Sequence, residues 1–543
     1  MKVGAAIAEI MKREGIEILT GYPVNHLIEF AAERDIRPVM VRQERIAAHM
    51  ADAISRVTSG RRLGAFCMQH GPGAENAFGG VAQCYGESIP VLVVPMGYPR
   101  RLREVDPNFN STTAMKPVAK STEAVMLASE VPNIMRRAFT RLRNGRGGPV
   151  VVEVPADMWN EEVPEPLDYV PVMATRYGPD PAEIRRAARM LAEAKRPVLY
   201  AGTGVHWAQA WPQLQALAEL LAAPVTSSLG GKSAFDETHP LALGSGGLAI
   251  SKPVRHFLDK ADLIFGIGCS FTETNFGVKM PKGPKYIHNT LDPMHLNKDV
   301  RADIGLVGDA ALTLDALLAE LATLVKSPRD PAAVAAEIQQ QYEPWLAEWM
   351  PRLSSDAAPL NPYRVLWDLQ HTVDRDNTII THDAGSPRDQ ISPFWKATKP
   401  LSYLGWGKTT QLGYGLGLAM GAKLAAPEKL CINVWGDAAI GFTGMDFETA
   451  VRERIPIMSV LLNNFSMAIE LKVMPISTEK YRSTDISGDY AAMARAFGGY
   501  GERVTAPEEI VPAIQRGIRK TQEGVPVLLE FITSKETQVS RLG

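Results

Sequence analysis

The sequence has few cysteines and no long apolar run, and both absences restrict what the protein can be. Its four cysteines, at positions 67, 84, 269 and 431, form no Cys-x-x-Cys pair, which argues against a zinc site or a disulfide framework and favours a reducing compartment. No uninterrupted apolar run approaches the roughly 18 to 20 residues of a membrane span. Charges interrupt the N-terminus within ten residues, so we expect a cytoplasmic protein without a signal peptide or membrane anchor.

A basic excess is also lacking. The formal net charge is −2, so no surplus of lysine and arginine is available to neutralise phosphates, and we expect no nucleic-acid partner. The hydrophobic fraction of 45% and the charged fraction of 22% are ordinary for a globular protein. A chain of 543 residues is too long for one core, and its length suggests about three or four domains.

Short β-branched runs alternate with longer segments of helical period, which is typical of parallel α/β layers. Several of these runs are apolar throughout, as expected where helices cover both faces of a sheet. The predicted strands are 91–95, 150–154, 198–201, 263–267, 378–381, 430–435, 457–462 and 527–531. The pattern therefore predicts doubly wound parallel sheets.

Two seams divide the chain. Residues 161–180 are rich in proline and acidic side chains, and residues 326–362 place a helical stretch, 334–349, between ends that contain proline and serine. We expect three α/β domains, at 1–165, 181–325 and 360–535. The first and third blocks close alike, with Pro-Val-Val-Val-Glu-Val from 149 and Pro-Val-Leu-Leu-Glu-Phe from 526, which hints at two similarly built outer domains around a different middle one.

Two polar side chains follow neighbouring predicted strands of the third block. Asp437 ends one strand and Asn464 ends the next, and the carboxyl ends of adjacent parallel strands meet at one edge of a sheet. Carboxylate, amide and backbone carbonyl oxygens form a ligand set that suits Mg²⁺. The small residues Ala438 and Ala439 allow backbone N–H groups to approach a diphosphate. Either dipeptide, Gly-Asp or Asn-Asn, is common at strand ends by itself.

Together the two dipeptides resemble the thiamin-diphosphate motif, which opens Gly-Asp-Gly and ends Asn-Asn after a similar span. Here Gly436 and Asp437 open it, the two ligands are 464 − 437 = 27 residues apart, and Ala438 replaces the usual glycine. The resemblance implies that the backbone carbonyl of Ser466 is a third metal ligand. It also places diphosphate contacts at Gly385 and Ser386, where Pro387 departs from the polar residue often found.

The segment from Val41 to Arg56 resembles the acetolactate-synthase group of this superfamily, in which an Ala-, His- and Met-rich helix follows a catalytic glutamate. The glycine-rich segment that begins at Gln69 fits the same group. The resemblance implies that Glu44 activates the cofactor from its pyrimidine side, although by position alone Glu44 would be a first-turn helix residue. We expect His70 to contact substrate or transfer protons, with Gln69 as a weaker candidate and His49 packed in its helix.

The segment 405–415 resembles the loop beneath the cofactor in this family. By that resemblance Leu412 is the bulky residue that forces the cofactor to bend, and the carbonyl of Thr410 accepts from its 4′-amino group. Plain core packing at a helix start is the alternative for Leu412. The glycines at 413 and 415 are compatible with both.

The middle block, expected to be Rossmann-like, has only a lone Gly-x-Gly turn at 202–204, a weak nucleotide signal. Relatives that bind FAD commonly carry an arginine just past the strand that matches 263–267, where this chain reads Gly-Cys-Ser-Phe. They also carry an aspartate where this chain has Thr290. FAD is therefore not expected.

The resemblance spans the whole chain and implies thiamin diphosphate, Mg²⁺, a 2-oxo acid substrate and a homo-oligomer, dimer or tetramer, in which one subunit's glutamate reaches another's cofactor. Three functions stay open: an acetolactate synthase-like carboligase, a simple decarboxylase or acyl-CoA lyase, and a non-catalytic regulatory paralogue. The presence of Glu44 together with Asp437 and Asn464 argues against the last.

Overall fold

The computed structural model describes residues 1–542, and its eighteen strands form three six-stranded sheets in which every pairing is parallel. The first sheet contains β1 (Ile18–Gly21), β2 (Arg37–Met40), β3 (Gly64–Met68), β4 (Val91–Gly97), β5 (Ser121–Ala124) and β6 (Val150–Pro155). The second contains β7 (Pro197–Ala201), β8 (Val225–Ser227), β9 (Ala242–Ser245), β10 (Leu263–Ile267), β11 (Lys285–Thr290) and β12 (Ile304–Val307). The third contains β13 (Thr378–His382), β14 (Tyr403–Leu404), β15 (Leu430–Gly436), β16 (Met458–Asn463), β17 (Tyr500–Val504) and β18 (Val527–Ile532).

Helices connect the strands and flank the sheets. In the first unit they are α1 (Val3–Arg13), α2 (Leu27–Ala32), α3 (Glu44–Val57), α4 (Pro72–Glu87), α5 (Ser111–Ala114) and α6 (Val131–Arg143). The second unit and the segment after it contain α7 (Pro181–Glu193), α8 (Thr203–Ala208), α9 (Trp211–Leu221), α10 (Lys252–Lys260), α11 (Ala310–Leu324) and α12 (Ala332–Leu353). The third contains α13 (Pro362–Thr372), α14 (Ser386–Ile391), α15 (Tyr414–Ala425), α16 (Asp437–Thr443), α17 (Phe447–Arg452), α18 (Pro475–Tyr481), α19 (Tyr490–Ala496) and α20 (Ile510–Gln522). No helix within these residues is both long and apolar enough to cross a membrane.

The two outer sheets have the same topology. Their strand orders are β2-β1-β3-β4-β6-β5 and β14-β13-β15-β16-β18-β17, which become identical when each is numbered from its own first strand. The middle sheet, β12-β11-β10-β7-β8-β9, has the Rossmann order 3-2-1-4-5-6 read from its other edge. The predicted fold class is confirmed, and the short closing match of the outer blocks reflects a shared topology.

All eight predicted strands are present, each within two residues of its expected bounds. The predicted helix 334–349 lies inside α12, which continues through Pro344 and Pro351. Residues 161–180 contain no helix or strand between β6 and α7. The strands that the sequence did not predict are mostly short, such as the two-residue β14.

The first and third units pack through α3 and α15, whose small residues allow close approach. A Cβ on Gly421 would lie 2.3 Å from the Met50 carbonyl oxygen. A buried polar network crosses this contact: Arg56 pairs with Asp52 at 2.8 Å and donates to the Gly405 carbonyl at 2.8 Å. The Tyr414 hydroxyl donates to the same Asp52. Because these charges are paired, the interface can bury them without leaving either one unsatisfied.

Candidate active site

Asp437 and Asn464 meet at the carboxyl edge of the third sheet. β15 and β16 pair with Gly436 beside Leu462, so the residues that follow each strand end are neighbours. Oδ2 of Asp437 accepts the backbone N–H groups of Asn464 at 3.1 Å and of Ser466 at 3.0 Å. The structure thus brings together the three residues that the sequence assigned to a metal.

The oxygens around Asp437 fit a hard divalent cation. Oδ1 of Asn464 is buried and has no hydrogen-bond partner in the protein. The Ser466 carbonyl accepts from the Ala468 N–H at 2.9 Å, which leaves one lone pair free. Burial raises the pKa of Asp437, which is 3% exposed, so its carboxylate would gain from a cation. This set of one carboxylate, one amide oxygen and one backbone carbonyl suits Mg²⁺. A metal site built from three or more His, Cys, Asp or Glu side chains does not occur within residues 1–542.

A cavity of about 110 Å³ adjoins these oxygens. Most of the predicted cofactor-binding residues line it, among them Gly385, Ser386, Leu412, Gly436, Ala438 and Ala439. Gly385 adopts φ +78°, a left-handed conformation that favours glycine. Thr410 does not line this cavity. It lies two residues before Leu412 in the segment 405–415. Small side chains on two sides of the cavity leave the backbone accessible to a diphosphate.

Asp383 organises the loop that carries Leu412, a role the sequence did not predict. Its Oδ1 accepts from the Gly413 N–H at 2.9 Å and its Oδ2 from the Gly415 N–H at 3.0 Å. Burial raises the pKa of this carboxyl group to about 6. Gly413 adopts φ +83°, and a Cβ there would lie 2.6 Å from Thr443 Oγ1. Asp383 therefore ties the loop to the end of β13 and directs Leu412 toward the cavity.

Glu44 is the first residue of α3 and is only 5% exposed. Its Oε2 accepts from the Asn76 side chain at 2.6 Å, and Asn76 is a site residue that the sequence did not predict. A Cβ on Gly73 would lie 3.1 Å from Glu44 Oε1 and 2.7 Å from Gln69 Cγ. Glycine at 73 therefore leaves the space beside the carboxylate open.

His70 follows β3 in the same region as Glu44. Its ring packs edge-on against Tyr98 at a centroid distance of 4.5 Å, and its buried Nδ1 has no hydrogen-bond partner. His49, in contrast, is fully buried, and its Nε2 lies 3.1 Å from Gln411 Oε1. Burial lowers the pKa of His49 to about 3, so this histidine is a neutral packing residue, as expected.

Within one chain, the two halves of the predicted site do not line a common cavity. Every residue that lines the Asp437 cavity lies at position 362 or later. Glu44, Gln69 and His70 belong to the first unit and line no part of it. Within a single chain, the candidate activating side chains therefore do not line the cavity beside the candidate metal residues, although Gln43, next to Glu44, donates to the Phe442 carbonyl in α16 at 2.8 Å.

The middle sheet carries two further cavities, of about 630 and 580 Å³, at the carboxyl ends of β7 and β10. Thr203, Cys269 and Ser270 line both cavities, and Thr290 lines the second. This is the topological switch point where Rossmann sheets place ligands. At this edge the chain has Cys269 and Ser270 just past β10, where FAD-binding relatives commonly carry an arginine, and Thr290 in place of their aspartate. FAD is not expected for that reason.

The third sheet thus places an oxygen set that suits a divalent cation beside a cavity lined by small residues, an arrangement typical of an enzyme that binds a diphosphate cofactor. The chain belongs to the thiamine pyrophosphate enzymes. Models of that family match its N-terminal TPP binding domain at residues 1–120, its central domain at 184–317 and its C-terminal TPP binding domain at 383–531.

Curated relatives match along nearly the whole chain. The probable acetolactate synthase large subunit of Methanocaldococcus jannaschii is 30% identical, over 98% of this chain and 92% of its own length. Acetolactate synthase isozyme 3 large subunit of Escherichia coli K12 is 29% identical, over 95% of this chain and 92% of its own length. Glyoxylate carboligase of Escherichia coli O157:H7 is 28% identical, over 99% of this chain and 94% of its own length. The prediction of a thiamin-diphosphate enzyme similar to acetolactate synthase is confirmed.

Proposed function

We propose that this enzyme decarboxylates a 2-oxo acid and joins the remaining fragment to a second carbonyl compound. Its similarity to acetolactate synthases and to a glyoxylate carboligase supports this proposal. The observation that carries this proposal is the full site: Glu44 in the first domain and the paired Asp437 and Asn464 in the third. A non-catalytic paralogue would have no reason to keep both halves. A simple decarboxylase and an acyl-CoA lyase remain the alternatives.

Asp437, the Asn464 amide oxygen and the Ser466 carbonyl would hold Mg²⁺. The backbone at Gly385, Ser386, Ala438 and Ala439 would bind the diphosphate that completes the metal's coordination. When bound, thiamin diphosphate supplies a carbon nucleophile that also stores the electron pair released by decarboxylation. The orphaned Asn464 oxygen is the feature that most supports a metal here.

Glu44 would bind the pyrimidine ring and hold a proton at its N1′ atom. The Asn76 side chain, which donates to Glu44 Oε2, would orient the carboxyl group. On the other side of the ring, the Thr410 carbonyl would accept from the 4′-amino group and Leu412 would keep the two cofactor rings at an angle. Asp383 supports this arrangement because it fixes the loop that carries Leu412.

His70 would deliver or remove the proton at the substrate's reacting carbonyl, and Gln69 would orient that carbonyl. The free Nδ1 of His70 supports the assignment, because a buried ring nitrogen without a partner can serve a ligand. The Tyr98 ring fixes the plane of the imidazole. Replacing His70 should thus affect product formation more than cofactor binding.

We further propose that two chains form the active unit and that Glu44 of one chain serves the metal site of the other. The absence of a cavity lined by both half-sites within one chain supports a second copy. So do exposed apolar side chains in the third domain around α16 and after β16, including Phe442 (49% exposed), Ile469 (50%) and Val473 (73%). In the first domain Tyr22 and Val24 are also exposed. A dimer would bury both apolar surfaces.

A product assay would separate the proposed reaction from its alternatives. Purified enzyme with thiamin diphosphate and Mg²⁺ should release CO₂ from pyruvate or a related 2-oxo acid and yield a 2-hydroxy-2-acyl acid or another ligated product. Stoichiometric aldehyde would indicate a simple decarboxylase, and turnover of only acyl-CoA thioesters would indicate a lyase. We also propose that the chain folds as three domains, at 1–165, 181–325 and 360–535, and that the enzyme is cytoplasmic.

A further inference from the structure

Glu530 is a fully buried carboxylate in β18, next to the strand that ends at the metal loop. Its Oε1 accepts from the Asn463 side-chain Nδ2 at 2.7 Å and from Arg503 at 3.0 Å. Its Oε2 accepts from the Ala491 N–H at 3.0 Å and from the Arg503 Nε at 3.1 Å. The negative charge of Glu530 is therefore paired with Arg503, and each of the four hydrogen bonds to its carboxylate comes from an N–H donor.

The carboxylate determines how the Asn463 amide is turned. An ionised carboxylate can only accept, so it must face the Nδ2 of Asn463 and leave Oδ1 on the opposite side. That Oδ1 accepts the Phe465 backbone N–H at 3.0 Å. A glutamate at 530 thus fixes the orientation of an amide that could otherwise flip.

The Asn463 amide in turn holds the turn that carries the candidate metal ligands. Phe465 adopts φ 56°, a left-handed conformation that is unfavourable for a bulky non-glycine residue. Its N–H is held by Asn463, and on either side the N–H groups of Asn464 and Ser466 donate to Asp437. The turn thereby directs the Asn464 amide oxygen and the Ser466 carbonyl to one place.

We propose that Glu530 and Asn463 are positioning residues for the metal, which set the affinity of the Asp437 site for Mg²⁺ although neither contacts it. The inference rests on the proposed function of that site. Outer residues that orient metal ligands typically contribute 10- to 100-fold to metal affinity. Loss of either residue should weaken Mg²⁺ binding by about that factor while the fold is retained.

The first domain contains an internal control. Glu153 is the fourth residue of β6, as Glu530 is of β18, and it is equally buried. It accepts from Arg103 at 2.7 Å and from the Ser111 N–H at 3.1 Å. At the strand position that matches Asn463 the first domain has Gly97, on which a Cβ would lie 2.9 Å from Glu153 Cγ. The same carboxylate therefore occurs in the first domain without the amide that leads to the metal loop.

The test compares Glu530→Gln and Asn463→Ala with Glu153→Gln in the full-length enzyme. For each variant, calorimetry would measure the Mg²⁺ concentration that gives half-maximal binding of thiamin diphosphate. Circular dichroism would measure the melting temperature of the same variant. We expect this concentration to rise about 10-fold or more in Glu530→Gln and Asn463→Ala and to stay unchanged in Glu153→Gln. If Glu530→Gln does not fold, Asn463→Ala decides.

Two results would overturn the inference, and they differ. If the wild-type enzyme binds thiamin diphosphate with Mg²⁺ and both third-domain variants need no more Mg²⁺ than Glu153→Gln, the positioning role is wrong and the proposed function stands. If the wild-type enzyme binds no thiamin diphosphate at any Mg²⁺ concentration, the proposed function fails and the inference fails with it.

Discussion

Asp437 and Asn464 are joined backbone to side chain across two neighbouring strands. The Asp437 carboxylate accepts the Asn464 N–H at 3.1 Å, and the Asn464 amide oxygen stays buried without a protein partner. A buried acceptor left unpaired is costly, so a ligand that bonds to this oxygen would stabilise the arrangement. Under the proposed function that ligand is Mg²⁺.

Replacing Glu44 with glutamine should separate cofactor binding from cofactor activation. The variant should bind thiamin diphosphate within a few-fold of wild type but exchange the cofactor's C2 proton about 100-fold more slowly or worse, because an amide cannot hold the N1′ proton. Hydrogen–deuterium exchange at C2, followed by NMR after acid quench, measures this. Glu75→Gln, an exposed change on the nearby α4, is the control, and equal exchange in both variants would refute the role.

Mixing two inactive variants should restore activity if the site is shared between chains. Glu44→Gln and Asp437→Ala damage different halves, so a mixed dimer contains one intact site and one doubly damaged site. Random reassociation should recover about one quarter of wild-type activity. The measurement is the specific activity of the reassociated mixture against each variant reassociated alone. No recovery in confirmed mixed dimers would show that Glu44 acts within its own chain.

Shortening Leu412 should lower turnover more than cofactor affinity. Leu412→Ala removes the side chain that would hold the cofactor rings at an angle, and a misplacement of reacting atoms by about 1 Å can cost up to about 100-fold in rate. We expect kcat to fall by about 10- to 100-fold while the Kd for thiamin diphosphate changes little. Leu412→Met conserves volume and should stay near wild type. Equal loss in both variants would assign Leu412 to core packing.

His49 should make the enzyme less stable in acid. Its pKa is lowered to about 3 by burial, whereas the unfolded chain has a value near 6.5. Stability from the neutral ring is therefore present above about pH 6.5 and is lost as the pH falls toward 3, with about 2 kcal/mol gone at pH 5. In His49→Gln the difference in unfolding free energy between pH 8 and pH 5 should shrink by about that amount. Denaturant titrations at both pH values test this, and identical pH dependence would contradict it.

Asp437 and Asn464 were predictable because each one immediately follows a strand that is readable as an apolar run. Adjacent parallel strands end at the same edge, and the ligand chemistry and the spacing of the two residues completed the argument, whereas Ser466 was assigned through the resemblance alone. Glu44 was identified through the sequence around it, since its position alone is that of an ordinary helix start. The eight long buried strands were found for the same reason as the metal residues, and the two-residue β14 was too short to show a pattern.

The supporting residues could not be predicted from local sequence. Asp383 reaches Gly413 across 30 positions, Asn76 reaches Glu44 across 32, and Glu530 reaches Asn463 across 67. Each of these contacts exists only because the fold brings together residues that are distant in the sequence. A buried carboxylate and a turn amide have no periodicity, so their partners become visible only in three dimensions.

Titration of the metal-free apo-enzyme with thiamin diphosphate, with and without Mg²⁺, would test whether Asp437 and Asn464 form the metal site, with Asp437→Ala measured alongside. Calorimetry should show tight binding by wild type only when Mg²⁺ is present, and a loss of affinity of more than about 100-fold in Asp437→Ala at the same Mg²⁺ concentration. Melting temperatures in the absence of ligand show that the variant is folded. Binding that is indifferent to Mg²⁺, or that survives in Asp437→Ala, would contradict the assignment of Asp437 and Asn464 as the metal site.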